Sequence, residues 1–438
     1  VSFSFFFPLL FWLSFFQGYR RKRKVCRNKK IRRVVAKFGG KSLADGERIR
    51  RAATAVAREV EGGVQVAVVA SALGNTTDTL INITKQATEG KIKTREIDDI
   101  LSMGERTSVR VLSAALNARG VKSRYFDPAG EDWPIITNDR FTNAEPLLPE
   151  CSRRIKKHVL PLLEQGIVPV IAGFIGKTLD GRVTTIGRGG SDTTAFILAK
   201  ALDADEVILV TDVEGIMSAD PKLVNNPRKL RVIEAKQLAE LADLGARFIH
   251  KKALQYKDES INARVVSYSR DCLDDGGTVI VGSFPKVSVT LANRSKAMRV
   301  TMVGKAISED ASILRETVRE LINHQIFVFG ISANNDSLTW YLSQTESHSP
   351  LESLHSIVLR RKQESAMAVR KNLAPIKVKG LRLEEAHSVA SKLLGSLGAN
   401  GIDFAGFLPT TLGFLVFVDW GVKDTVLNLF EKTLEVKS

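Results

Sequence analysis

The stretch "IRRVVAKFGGKSLADGERIRRAATAVAREVEGGVQVAVVASA" (residues 31–72) decides the fold class. Residues 31–40 read as a β-strand running into a paired-glycine turn. Residues 46–62 carry apolar side chains at helical spacing, and 64–72 form the unbroken apolar run of a strand buried on both faces. The order recurs more loosely in 159–176, where 167–176 ("IVPVIAGFIG") reads as one strand, and in 193–215, where a helix begins at Thr193. Such alternation predicts an α/β architecture, an αβα sandwich around a mainly parallel sheet. Its glycine-rich turns fall at the carboxyl edge, where sheets of this class bind ligands.

From about Gly282 the pattern changes. "AMRVTMVG" (297–304), "ASILRETVRELINHQ" (311–325), "IFVFGIS" (326–332) and "SLTWYLSQT" (337–345) read as β-α-β-β. "APIKVKG" (374–380), "EEAHSVASKLLGSLGA" (384–399), "IDFAGFL" (402–408) and "GFLVFVD" (413–419) repeat it before a final helix. Two such units of roughly 70 residues predict two ferredoxin-like modules. The expected division is therefore 1–30 as an extension outside the fold, 31–285 as the first domain, and 286–438 as a region of two small units.

Composition narrows the function. The chain has 438 residues, enough for two or three domains, and a 44% hydrophobic content that suits a packed globular protein. The net charge of +16 suggests nucleic acid until it is located: ten Lys or Arg and no acid lie between Tyr19 and Val34, and without those ten the charge falls to +6. No nucleic-acid partner is expected. The apolar run 3–16 has 14 residues, short of the ~20 of a spanning helix, and the basic run follows it instead of preceding it as in a signal peptide. Residues 1–30 are expected to be an over-extended gene start, the alternative being an anchor with a basic cytoplasmic flank. A membrane partner is not expected. Cys26, Cys151 and Cys272 form no CxxC or His/Cys cluster, which argues against zinc and disulfides and for a reducing, cytoplasmic location.

Four short stretches carry chemistry. In "KFGGKS" (37–42) paired glycines let the backbone approach a ligand, and Lys37 reaches toward the same anion. A P-loop would need glycine at position 35, which is Val35. In "GRGGSD" (187–192) the amides of Gly189 and Gly190 suit an anion nest at a helix start, and Arg188 suits a two-pronged grip on a carboxylate. Asp192 either caps that helix or engages an ammonium group or a lysine. "VTDVEGIMSADP" (210–221) follows a strand and suits a loop around a nucleotide base and ribose, while "LSMGERTSVRVLSAAL" (101–116) is a helix with Glu105 and Arg106 near its start, ordinarily read as surface salt bridging.

In this order, "KFGGKS", "SALGNTTD" (71–78), "SMGERTS" (102–108), "TTIGRGGSD" (184–192) and "TDVEGIMSADP" (211–221) resemble the aspartate kinases of the amino-acid kinase superfamily over about residues 33–285. The tandem β-α-β-β units are similar to the ACT regulatory modules that follow the kinase domain in that family. The resemblance implies ATP-dependent phosphorylation of L-aspartate, the entry to lysine, threonine and methionine synthesis. It implies that Lys37, Gly39, Gly40 and Ser42 contact the ATP phosphates, with Lys37 and Asp192 catalytic. Thr77, Glu105 and Arg188, with Gly189 and Gly190, would bind aspartate; Thr211, Asp212, Met217, Lys222 and Arg247 would hold the nucleotide. Mg²⁺ would arrive with ATP, an amino-acid effector would bind the ACT-like units, and those units would join a homo-oligomer. The chain departs from the family pattern at Lys41, Asp78, Met217, Lys222, Arg247 and Lys251, and "ANNDSLTWYLSQ" (333–344) lacks the usual serine-rich effector loop. The alternatives are another amino-acid kinase of this fold and an inactive ACT-containing regulatory paralogue.

Overall fold

Strand β1 (Arg33–Phe38) has Val34, Val35 and Ala36 wholly enclosed, which places it inside a sheet and not at an edge. In the computed structural model, which describes residues 31–242, 249–269, 272–273, 276–361, 364–381 and 383–436, it lies between β2 (Gln65–Ala70) and β7 (Glu206–Thr211), parallel to both. The expectation for residues 1–30 lies outside the described residues. The sheet extends through β4 (Val168–Ala172) to β3 (Ser123–Phe126) on one side. On the other it runs through β9 (Asn262–Ser267) and β10 (Thr278–Val281) to β8 (Val232–Glu234). Of its neighbouring pairs, β9 with β10 runs antiparallel and the others parallel, as the apolar runs predict.

The helices of this half are α1 (Gly46–Glu61), α2 (Thr76–Thr88), α3 (Thr94–Asn117), α4 (Leu148–His158), α5 (Leu160–Glu164), α6 (Gly190–Ala201), α7 (Ala235–Ala242) and α8 (Lys251–Leu254). The first starts where Asp45 accepts a hydrogen bond from the Arg48 amide at 2.8 Å, buries Ile49, Ala52, Ala53 and Val56, and ends at Gly62 and Gly63. The buried face matches the helical spacing read over 46–62, while the Asp45 cap is seen in the structure.

Two local expectations change. The run 167–176 is not one strand: β4 stops at Ala172, and the chain turns at Gly173–Phe174 into β5 (Ile175–Lys177), which pairs with β6 (Val183–Thr185) as a separate hairpin. A Cβ at Gly173 would fall 2.6 Å from that of Ser191, so only glycine lets the two segments approach, and Phe174 takes a φ of +65°. The helix expected from Thr193 begins at Gly190, which puts Ser191 and Asp192 inside its first turn.

In the second half, β12 (Ala297–Gly304), α9 (Ala311–Asn323), β13 (Val328–Asn334) and β14 (Ser337–Ser343) form the first β-α-β-β unit. The second comprises β15 (Ser365–Lys379), α11 (Leu383–Ala399), β16 (Phe404–Thr410) and β17 (Gly413–Asp419), then α12 (Lys423–Leu434). The sequence reading missed β11 (Ser288–Leu291) and α10 (Ser349–Leu359). It also missed that β15 serves both units. Its first part pairs with β12 and its second with β17, while β11 lies beside its end, so both units share one sheet in the order β13-β14-β12-β15-β17-β16. The sheet folds back on itself, with Tyr341 stacked on Phe417 at 4.3 Å and Leu408 against Gly330.

The halves interlock at the turn between β16 and β17. Leu412, 8% exposed, belongs to the apolar core of the first half, and the Lys251 ammonium donates to the Thr411 carbonyl at 3.2 Å.

Candidate active site

Lys37 is the fifth residue of β1, and its Nζ lies 2.7 Å from Oδ1 of Asp192. Asp192 occupies the third position of α6, whose N-cap is Gly189 at a φ of +75° with no side chain closing the turn. The structure thus decides between the two readings of Asp192: it pairs with the lysine and does not cap the helix. Of the two amides expected to form an anion nest, that of Gly190 donates back to the Gly187 carbonyl at 2.9 Å and is closed to a ligand, while the positive end of the helix dipole still faces the cavity that Gly189 and Gly190 line. The turn admits little besides glycine, since a Cβ on Gly190 would lie 2.9 Å from Phe174 Cα.

These groups line a cavity of about 360 Å³, whose wall includes Lys37, Gly40, Thr77, Glu105, Arg188, Gly189, Gly190 and Asp192. Residues separated by 155 positions in the chain, Lys37 and Asp192 among them, meet because the strand ends and the α6 start share one edge of the sheet. Phe174, Ser71 and Ser191 also line it and were not singled out in the sequence. The glycines flanking Phe174 at a strand end were the available signal.

Glu105 is not a surface residue. Helix α3 begins at Thr94, well before the expected start, so Glu105 lies in mid-helix and is 3% exposed. Its Oε1 accepts the Ala72 amide at 3.1 Å, while Oε2 has no hydrogen-bond partner among the described residues. Burial pushes its carboxyl up to about 8, with the Ala72 amide opposing the shift. A buried acceptor left open in a cavity wall suits a cationic ligand group. Surface pairing falls to its neighbour Arg106, which reaches Asp127 at 3.1 Å. Arg188 is exposed at the cavity and has no acidic partner among the described residues.

The other expected contacts scatter. The Gly39 amide and the Ser42 hydroxyl both donate to the Val210 carbonyl, at 3.1 and 3.0 Å, so they tie the β1 turn to β7. Ser42, 1% exposed, is therefore turned away from any phosphate, contrary to the sequence expectation. Lys41 pairs with Asp212 at 2.7 Å and holds that carboxyl below the usual carboxylate range, and Asp212 also accepts the Thr211 hydroxyl at 3.1 Å. Met217 bridges to Lys229, and Lys222 is exposed in a turn where its amide reaches Asp220 at 2.9 Å; neither lines the cavity. Arg247 lies outside the described residues.

The sequence pattern of the Amino acid kinase family matches residues 32–267. The chain is 32% identical over 377 residues to the aspartokinase of Geobacillus stearothermophilus, covering 84% of this chain and 89% of that protein. Among solved structures it is similar to E. coli aspartokinase III in complex with aspartate and ADP (R-state), at 25% identity and a TM-score of 0.53, over 92% of this chain and 99% of that one. The same E. coli enzyme in complex with lysine and aspartate (T-state) matches at 26% identity and a TM-score of 0.52, over the same shares of each chain, 92% and 99%.

Proposed function

The chain belongs to the amino acid kinase family and is an aspartokinase, and from that premise we propose how its residues divide the work. The reaction joins a side-chain carboxylate oxygen of L-aspartate to the γ-phosphorus of ATP. As the bond to the bridging oxygen breaks, ADP leaves and 4-phospho-L-aspartate remains. The observation that carries the assignment is the meeting of Lys37, Asp192, Glu105 and Arg188 around one cavity. Such a transfer asks for positioning and charge neutralisation more than covalent chemistry.

Arg188 grips a substrate carboxylate, Thr77 assists it, and the open Oε2 of Glu105 accepts the substrate ammonium. Lys37, oriented by Asp192, neutralises charge on the transferred group. Gly40 faces the phosphates, Gly189 and Gly190 at the α6 start lie beside Arg188 on the aspartate side, and Thr211 and Asp212 lie toward the nucleoside. Mg²⁺ would arrive bound to ATP and would supply charge neutralisation at its phosphates; among the described residues no group of three or more His, Cys, Asp or Glu is placed to hold a metal. Residues 31–285 form the catalytic domain and 286–438 the regulatory region, a division supported by the first sheet ending at Val281 and the second starting at Ser288. The lysine named with the E. coli relative supports an amino-acid effector, and the resemblance of the paired units to ACT modules supports a homo-oligomer built through them. No helix among the described residues is long and apolar enough to cross a membrane. Free thiols at Cys151 and Cys272 support a cytoplasmic location for a step leading to lysine, threonine and methionine. A hydroxamate assay of residues 31–438 with ATP, Mg²⁺ and aspartate tests the activity; no aspartate-dependent product would refute it.

A pH dependence follows from Glu105. The ammonium needs the carboxylate form, yet burial keeps the group protonated up to about 8. Aspartate binding therefore expels a proton below that pH, and aspartate KM should fall roughly tenfold per unit as pH rises toward 8, then level off. For stability the sign is opposite. Between 4.5 and about 8 the folded protein holds a proton that the unfolded chain has lost, so this group's contribution declines as pH rises through the window. A KM that stays flat from pH 6 to 8 would remove Glu105 from the ammonium site.

A further inference from the structure

We propose that Lys252 and Asp98 are positioning residues that set the carboxylate grip of Arg188. The inference rests on the aspartokinase reading of the cavity and adds what holds its arginine in place. Lys252, on α8, is 7% exposed, and its ammonium donates to the Ile186 carbonyl and, at 2.6 Å, to Asn143 Oδ1. Asp98, on α3, is wholly buried. Its carboxylate accepts the Thr185 amide at 2.9 Å, the Thr185 hydroxyl at 2.7 Å and the Thr142 amide at 2.8 Å.

Two buried charges of opposite sign thus hold consecutive residues, Thr185 and Ile186, together with the adjacent pair Thr142 and Asn143. The next residue, Gly187, has a φ of +81°, and a Cβ there would lie 3.0 Å from both Asn143 Oδ1 and the Thr142 carbonyl. Beyond Arg188, Gly189 is packed against His250, the N-cap of α8, whose Nδ1 accepts the Lys252 amide at 3.3 Å. The α8 segment therefore braces the backbone on both sides of Arg188.

Burying charges costs stability that apolar side chains of similar size would not, so stability alone does not account for them. Geometry does. A two-pronged arginine grip depends on the direction of the guanidinium, and a misplacement of ~1 Å costs on the order of 10²-fold. Lys252→Met should raise aspartate KM by about tenfold, a fraction of that limit, with ATP KM unchanged. Asn143→Ala, at an exposed residue, should shift aspartate KM the same way by less. Lys252→Arg, which keeps the donors, should restore most of the affinity.

Loss of structure alone would lower the active fraction and leave both KM values in place. The proposal is overturned if aspartate KM is unchanged in either folded variant, or if ATP KM rises in step with it. If Lys252→Met yields no folded protein, Asn143→Ala decides alone. Arg188→Lys, measured alongside, separates the two readings. If it moves aspartate KM and the others do not, only the brace fails; if it does not, the assignment of Arg188 fails and the brace with it.

Discussion

Replacing Lys37 by methionine is expected to lower turnover by about 10²–10³ while aspartate KM changes little, because a preorganised donor acts where charge develops. Methionine keeps the length and loses the charge. It also leaves Asp192, largely buried, without the partner it holds at 2.7 Å, a loss that by itself destabilises the fold. The double variant Lys37→Met with Asp192→Asn isolates the two effects: thermal stability should recover and turnover should not. Recovery of turnover with stability would mean that the lysine is a structural ion-pair member, and an unchanged kcat in the single variant would remove it from the transfer step.

The second large effect is expected at Arg188. Lysine keeps the charge there but loses the planar fork, and a charge-assisted hydrogen bond is worth about 1.5–3 kcal/mol. That converts to an aspartate KM roughly ten- to a hundredfold higher. ATP KM should stay put, and so should the melting temperature, since Arg188 has no acidic partner among the described residues. Steady-state kinetics with each substrate varied in turn reads the result. Equal shifts for both substrates would transfer Arg188 to the phosphates.

Much of this was legible because it is local. The β1 strand, the α1 spacing and the glycine turns are written in consecutive residues, and in parallel sheets strand ends gather at one edge whatever their distance in sequence. Lys37, Thr77, Glu105, Arg188 and Asp192 each sit in such a short motif, and the structure brings all five to one cavity. What sequence could not supply was direction. Nothing in "KFGGKS" says that the Ser42 hydroxyl turns back to Val210, or that Lys41 finds Asp212. The depth of Glu105 depended on where α3 begins, and a helix start without a strong cap signal is poorly marked in sequence. Asp98 and Lys252 were invisible for a related reason: their partners lie 87 and 66 residues away, and each looks like an ordinary charge on its own helix. In the nucleotide loop, Met217 was read by position in a motif, whereas its backbone is engaged in a bridge to Lys229.

The placement of Leu412 has a consequence for how the polypeptide is made. All eight strands of the first sheet have left the ribosome soon after Val281 is added, but the side chain that completes their core comes from residue 412. At about 5–20 residues per second, that interval lasts on the order of ten seconds. During it the apolar side chains that Leu412 covers stay open to water, an exposure of one leucine's footprint in the nascent kinase half. Translation of the last strand pair therefore closes the catalytic half as well as its own unit, and slow codons between residues 282 and 412 would lengthen the period of exposure.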